Sequence, residues 1–484
     1  MKLHNTMAGQ VETLRPLRAD RVSVYTCGLT VYSQPHIGNW IGYIYWDILV
    51  RTLRAEGYNV ERTQNITDVG HLVSDDDAGE DKMEKGARAE GITAWDVAQK
   101  YSAIAEHEGY DMLGLIRPDH LVTATSCIDA QIAFAKVLDD KGYLYRTDDG
   151  MYFDTSKLSD YGKLARLDID GLQAGARVDM ASKRRPTDFA VWKFSPADHQ
   201  RDMEWDSPWG KGFPGWHLEC SVIARETLGD QIDIHTGGID HIPVHHTNEI
   251  AQTEAITGRP FAQMWVHNNH LKVDGQKMSK SLGNIYTLSD IVTHGYDMSD
   301  FRMFALGKHY QTEGNFTWDN LLAAHNRLQR WRDMAYLRWQ TNDTLHDDGD
   351  KDRTHDVNGL LLSAPHAALE ALGNDLDTPG ALIAIERAID EIDASPLSTL
   401  QHSALVDMVM WIDEVLGLRL AESTPDISDE HKRLIIERRR ARDAHDWASS
   451  DRIRDELQAH GILLRDTAST TVWSRDGSHN KKSN

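Results

Sequence analysis

Little in this 484-residue chain would carry it out of a reducing compartment or into a lipid layer. Three cysteines, Cys27, Cys127 and Cys220, are too few and too far apart for a disulfide framework, so a cytoplasmic setting is expected. No window approaches about 18 uninterrupted apolar residues, and Met1 to Leu17 is polar and charged, so no membrane span and no secretion are expected. With 13 prolines and 35 glycines the composition is neither fibrous nor disordered. Positive charge is also short: 52 Lys and Arg face 75 Asp and Glu, leaving −23. Such a surface repels nucleic acid at long range, so any nucleic-acid partner needs a local basic patch. Neither a G-x-G-x-x-G opening a helix nor a G-x-x-x-x-G-K-[ST] loop is found, which argues against dinucleotide dehydrogenases and P-loop ATPases.

What is present begins with length enough for about two to four domains. The charge is segregated: from His431 onward 12 Lys and Arg outnumber 8 Asp and Glu, so the basic patch lies at the end of an otherwise acidic chain. Arg21 to Thr26 alternates as a strand and turns at Cys27-Gly28. Apolar residues at helical spacing (Ile41, Ile44, Leu49, Leu53) follow from Gly38 to Gly57, and a second strand-like run covers Val60 to Ile66. Strand, helix, strand reads as a βαβ unit, whose ligands sit at the carboxyl ends of its strands. The Pro35-His36-Ile37-Gly38-Asn39 segment is therefore an expected ligand loop. Asn342 to His355 and Ser74 to Asp81 are acidic and read as solvated loops. Thr378-Pro379 reads as the N-cap and first turn of a helix over Gly380 to Asp393, and the last third reads as mostly helical.

Three strings carry the chemistry. They are CGLTVYSQPHIGN (Cys27 to Asn39), PGWHLECS (Pro214 to Ser221) with HTGGIDHIPVHHTNEIAQTEA (His235 to Ala255), and KVDGQKMSKSLGN (Lys272 to Asn284). A glycine opening a helix lets backbone approach phosphate, and a histidine beside it stabilises charge on that phosphate. Taken alone, His36 reads more often as a helix cap, Lys277 and Lys280 as a solvated basic turn, and Asp240 as a turn residue. His245 and Glu249, at i and i+4, share a helix face, and two distant thiolates would complete a tetrahedral metal shell; alone, buried cysteines more often only pack.

Together and in this order the strings resemble class I aminoacyl-tRNA synthetases, and in detail the cysteinyl-tRNA synthetase family. The resemblance extends over nearly the whole chain, through WDSPWGKGFPGWH (Trp205 to His217) and RARDAHDWASSDRIRDEL (Arg440 to Leu457). It implies an α/β fold: a Rossmann-like catalytic domain over residues 1–116 and 202–330 carrying the KMSKS loop, split by an insertion at 117–201. A helical tRNA-binding bundle at 331–424 and a basic anticodon-binding domain at 425–484 would follow. It implies a ligase of protein biosynthesis that joins L-cysteine to tRNA(Cys) through cysteinyl-adenylate. The expected partners are tRNA(Cys), L-cysteine and ATP with Mg2+, without a membrane.

By the same resemblance His36, Asn39, Lys277 and Lys280 are the expected catalytic residues; with Gly38 and Asp240 they bind ATP. Thr67 and Trp216 line the amino-acid pocket, and Cys27, Cys220, His245 and Glu249 bind one zinc ion that separates thiol from alcohol. Cys127 falls on no ligand position and is expected in a core, while His217, His246 and Asn248 are expected around the ligands. The tail's Arg439, Arg440 and Arg442 are expected to contact phosphate and Trp473 to stack on a base. The chain departs from the family in three places. Asn39 stands for the final His of HIGH, VGHLVSDDDAGEDKMEKGA follows Asp68 where the usual text is shorter, and HTGGIDHIPVHH replaces HGGGSDLMFPHH. The alternatives are a cysteine ligase acting on an amino-sugar acceptor and a nonenzymatic tRNA-binding paralogue. Lys432 to Trp473 speaks against the first, and the complete set of motif residues against the second.

Overall fold

A computed structural model describes residues 1–69, 81–167, 183–196, 200–340, 357–466 and 471–476, apart from the side chains of Lys82 and Lys280. The acidic runs over Ser74 to Glu80 and Asn342 to His355 lie outside the described residues. Asp81 departs from the solvated loop expected of it. It is buried, caps the helix Lys82–Glu90 through the amides of Met83 and Glu84, and pairs with buried Arg201.

The chain forms two compact units, one of residues 1–295 with 310–316, the other of 296–309 with 317–484. At the heart of the first is a five-stranded parallel sheet in the order Ala262–Asn268, Ile232–Gly238, Val22–Thr26, Val60–Ile66, His120–Thr123. The expected βαβ unit is its centre: Val22 pairs with Val60 and Thr26 with Gln64, joined by the helix Ile37–Ala55. That helix buries fourteen of its 19 residues, a band far wider than an amphipathic stripe, because it packs on the sheet and is covered in turn. The chain runs outward from Val22–Thr26 on one side and returns on the other with Ile232–Gly238. The crevice between the carboxyl ends of these two strands is thus the topological switch point, where open α/β sheets bind ligands. A separate antiparallel sheet of Leu144–Arg146, Gly150–Phe153, Phe189–Phe194 and Gly212–Pro214 falls largely within the expected insertion.

The second unit is helical, as expected of the last third, with long helices at Trp318–Tyr336, Val357–Gly373 and Thr378–Ala394. The cap of the third sits one residue earlier than expected. Asp377 rather than Thr378 accepts from the Gly380 amide, at 2.9 Å, because its carboxylate reaches the first turn while Thr378 hydrogen bonds the Lys308 carbonyl. Beyond Asp429–Asp443 and Trp447–Ala459, a hairpin of Ile462–Asp466 and Thr471–Arg475 ends the described chain.

Trp473 contradicts the base-stacking expectation. It is 2% exposed, packs with Tyr336, Ile427, Ile435, Ile453, Leu457 and Ile462, and exchanges backbone hydrogen bonds with the Gln340 side chain at 2.9 and 3.0 Å. Emptying such a site costs about 3–5 kcal/mol. Trp473→Ala is therefore expected to lower the melting temperature of the second unit by several degrees, and an unchanged melting curve would remove Trp473 from that core.

Candidate active site and metal centre

The helix Ile37–Ala55 starts where the sequence motif ends. His36 is its N-cap: the His36 Nδ1 accepts from the Asn39 amide at 3.2 Å, and Asn39 Oδ1 accepts from the His36 amide at 3.0 Å. This reciprocal box gives Asn39 a structural use, and its Nδ2 remains a donor at the helix N-terminus. The same bond sets the imidazole tautomer, because a nitrogen that accepts cannot carry the proton; His36 Nε2–H is then the donor. Burial holds the His36 pKa below its ordinary value, which keeps the ring neutral at pH 7.

Gly38 brings two distant motifs together. A Cβ there would lie 2.1 Å from Met278 Cε, so the KMSKS loop rests against the opening turn of the helix. That loop follows the short strand Leu271–Val273 and turns at Asp274 and Gly275, both at positive φ. It is braced by Asn284, which accepts from the Ser279 amide at 2.8 Å and donates to the Lys277 carbonyl at 3.2 Å. Lys277 is exposed, and Lys280 opens the short turn Lys280–Leu282. Asp240 is exposed just past the strand Ile232–Gly238, and its Oδ1 would lie 2.3 Å from a Cβ at Gly238.

At the switch point the structure assembles a buried polar cluster. One donor atom each from Cys27, Cys220, His245 and Glu249 lies within 4.8 Å of the others, and all four residues are buried. Cys27 directly follows the strand Val22–Thr26, Cys220 sits in the helix Trp216–Leu228, and Glu249 in the helix Thr247–Thr257. His245 lies in the wider turn Ile242–His246 just before that last helix, with Nε2 3.1 Å from Glu249 Oε1. Bonds of about 2.0–2.3 Å in a tetrahedron place ligand atoms about 3.3–3.8 Å apart, so the donor set fits a zinc ion with little adjustment.

The cluster's electrostatics favour the same reading. Burial alone would raise Cys220, yet a hydrogen bond from Cys27 and the His245 charge hold it below the usual thiol range, while burial and Cys220 push Cys27 well above it. Although burial would lower it, His245 is held well above its ordinary value by Cys220 and Glu249. Two sulfurs, an imidazole and a carboxylate sharing protons in a buried pocket are a donor set that a divalent cation would neutralise.

A pair of histidines lies against these four residues. His235 Nε2 lies 2.9 Å from Glu249 Oε2 and its ring stacks on Trp265; His246 Nε2 lies 3.3 Å from Cys27 Sγ, and His246 Nδ1 lies 2.7 Å from His267 Nε2. With Cys27 and Glu249 these two histidines form an alternative four-donor group, but the set with Cys220 offers two sulfurs, which suits zinc better. His217, expected beside the ligands, has Nδ1 3.1 Å from His245 Nδ1. Asn248, also expected there, instead hydrogen bonds the Tyr161 hydroxyl at 2.6 Å. Cys127 is half-buried, its sulfur 3.4 Å from the Ala124 carbonyl, and lies in neither four-donor group. His235 and His267 were not singled out from sequence, although His235 opens the quoted HTGGIDH string.

Both expected pocket residues adjoin the cluster. Trp216, half-buried in the first turn of its helix, has its ring centroid 4.6 Å from that of His245. Thr67 is buried and donates to Glu219 Oε1 at 3.0 Å, one residue before Cys220.

In the tail, Arg439 and Arg440 are exposed, as expected. Arg438 is buried and forks onto Asp466 at 2.9 and 3.0 Å, and Arg442 pairs with the same carboxylate, so these two depart from a free cationic face. The exposed tryptophan there is Trp447, at 57%.

A parallel sheet with its switch-point site, followed by a helical unit, is the arrangement of the class I aminoacyl-tRNA synthetases. By fold the chain is similar to Mycobacterium tuberculosis methionyl-tRNA synthetase in complex with methionyl-adenylate, at a TM-score of 0.63 and 15% identity over 83% of this chain and 93% of that one. Residues 13–326 match the family described as tRNA synthetases class I (C) catalytic domain, and residues 424–473 the cysteinyl-tRNA ligase anticodon binding domain. The cysteine–tRNA ligase 1 of Burkholderia lata is 45% identical over 96% of this chain and 95% of its own length. That of Treponema denticola is 37% identical over 98% and 99%. The chain belongs to the cysteine–tRNA ligase family. Among the described residues no helix is long and apolar enough to cross a membrane.

Proposed function

We propose that the chain activates L-cysteine with ATP as cysteinyl-adenylate and transfers the cysteinyl group to the terminal ribose of tRNA(Cys), in the cytoplasm. The observation that carries this reading is the convergence of Cys27, Cys220, His245 and Glu249 beside Thr67 and Trp216 at the sheet's switch point. A zinc ion held by those four residues would supply preference for thiolate sulfur over the hydroxyl of serine. Trp216 walls the pocket, and His235 and His246 hold the outer faces of Glu249 and Cys27.

For adenylate formation the substrate carboxylate attacks the α-phosphorus of Mg2+-bound ATP and pyrophosphate leaves. The His36 Nε2–H and the helix N-terminus behind it meet the charge that develops there, with Gly38 admitting the phosphates and Asn39 holding the turn. Lys277 and Lys280 neutralise the leaving pyrophosphate, and Asp240 takes the ribose. Catalysis is positioning and electrostatics, with no covalent enzyme intermediate. The domain boundaries given above remain our proposed division of the chain.

The decisive experiment is charging of tRNA(Cys) with radiolabelled cysteine. Product on tRNA is expected; transfer to an amino-sugar acceptor with none to tRNA would overturn the assignment in favour of the alternative. For the tail, we expect Arg439→Glu with Arg440→Glu and Trp447→Ala to raise the Michaelis constant for tRNA and flatten its salt dependence, each lost phosphate contact lowering the slope by about 1. Activation of cysteine should be retained, since the matched active-site strings end by Asn284. Unimpaired charging would show that this face does not meet tRNA.

A further inference from the structure

Resting on that reading, we infer that Asn65 and Glu219 are positioning residues that fix the Thr67 hydroxyl as an acceptor for the α-ammonium group of the amino-acid substrate. The argument runs along one chain of hydrogen bonds. The Gly28 amide, which can only donate, lies 2.6 Å from Asn65 Oδ1. That contact settles the orientation of the Asn65 amide, because its oxygen must face Gly28 and its nitrogen must face away. Asn65 Nδ2 then donates to Thr67 Oγ1 at 3.0 Å, and Thr67 sends its single proton to Glu219 Oε1, also at 3.0 Å.

A hydroxyl has one proton and two lone pairs. With its proton directed to Glu219 Oε1 and one lone pair taken by Asn65, Thr67 has one lone pair left to accept a further hydrogen bond; burial raises the Glu219 pKa well above the usual carboxylate range, and Oε1 keeps its accepting role with the acid proton on Oε2. Its complement is a group rich in N–H donors, and an ammonium group is that complement. A ligand hydroxyl or amide could reverse its role to suit a free threonine, but this threonine is not free to rotate.

The geometry of the strand end supports the assignment. A Cβ at Gly28 would lie 1.6 Å from the Asn65 carbonyl oxygen, so the turn after Cys27 closes directly onto the strand Val60–Ile66, which carries Asn65 and leads into Thr67. Asn65, Thr67 and Glu219 are each no more than 2% exposed, so the relay works in a buried setting where each bond strongly constrains the next. The relay also joins the three elements that present Cys27, Thr67 and Cys220. One arrangement thus registers the amine-binding end of the pocket against its thiol-binding end.

The test compares the full-length wild type with Asn65→Leu, Glu219→Ala and the conservative Glu219→Gln. ATP–pyrophosphate exchange gives the kinetic constants for cysteine. Competitive inhibition by cysteamine, which keeps the amine, and by 3-mercaptopropionate, which lacks it, separates the two ends of the pocket. In Asn65→Leu and Glu219→Ala we expect the Michaelis constant for cysteine and the inhibition constant for cysteamine to rise about 10- to 100-fold, the range for a hydrogen bond to a charged group. The inhibition constant for 3-mercaptopropionate, the Michaelis constant for ATP and the bound metal should stay near wild type, and Glu219→Gln should restore cysteine affinity. Parallel losses for both inhibitors, loss of metal, or no change would each overturn the positioning role while leaving the catalytic reading intact. A wild-type enzyme that showed no exchange with cysteine would overturn that reading and this one with it.

Discussion

Replacing Cys220 by serine is expected to remove the bound metal and cysteine activation together. Cys220 is the sulfur whose pKa a hydrogen bond from Cys27 and the His245 charge hold below the usual thiol range, and it lies within 4.8 Å of the donor atoms of Cys27, His245 and Glu249. Serine keeps the shape but offers an alcohol, which does not ionise here and binds zinc weakly. Residues that only support metal ligands cost about 10- to 100-fold in affinity when mutated, so loss of a ligand itself should exceed about 100-fold. Metal analysis of purified protein should fall from about one zinc per chain to a small fraction, and pyrophosphate exchange with cysteine should fall with it. Cys127→Ser is the control: that thiol lies in neither four-donor group, and both readouts should remain. A Cys220→Ser protein with full metal and full exchange would mean that the cluster is held together by protons alone.

Sequence reasoning reached the four proposed ligands only through the order of the motifs. His245 and Glu249 were legible locally, since residues at i and i+4 share a face, and the observed 3.1 Å contact agrees even though the turn at His245 is wider than an α-helix. Cys27 and Cys220 were not legible that way, because 193 residues separate them and only the parallel sheet brings the end of one strand beside the helix Trp216–Leu228. His235 and His267 are harder still. Their spacing resembles no ligand pattern, and their positions follow from alignment of adjacent parallel strands, in which Gly237 pairs with His267. The βαβ core was readable because the apolar period changes from two to 3.6 and back.

The tail shows where local pattern fails. Trp447 and Trp473 both lie in a basic segment, and composition does not say which faces solvent. Pairing of Leu464 with Trp473 in the terminal hairpin, and the Gln340 side chain across from it, decide the matter. Arg438 is similarly claimed by Asp466, a partner 28 residues away that no helical period would suggest. The tail's core includes Tyr336, so a chain ending near Glu430 would open that core as well as remove the basic face. Surface substitutions at Arg439 and Arg440 are consequently the cleaner test of tRNA contact.

Substituting either lysine of the KMSKS loop by alanine should slow adenylate formation by about 100- to 1,000-fold, or roughly 3 to 4 kcal/mol of barrier, the usual cost of one preorganised charge contact in a transition state. In the proposed adenylate-forming step negative charge grows on the α-phosphate and on the departing pyrophosphate, and an ammonium group that meets it only as it grows raises rate more than ground-state affinity. The loop is built for such a contact. Met278 packs against Gly38 at the opening turn of the His36-capped helix, and Asn284 braces Ser279 and the Lys277 carbonyl, while the Lys277 side chain stays exposed. Lys277→Ala and Lys280→Ala should therefore leave the Michaelis constant for cysteine and the zinc content near wild type, since both belong to the other end of the site. Pyrophosphate exchange is the measurement. Cysteine binding that weakens as much as the rate falls would show that the lysines hold the loop in shape rather than meeting phosphate charge.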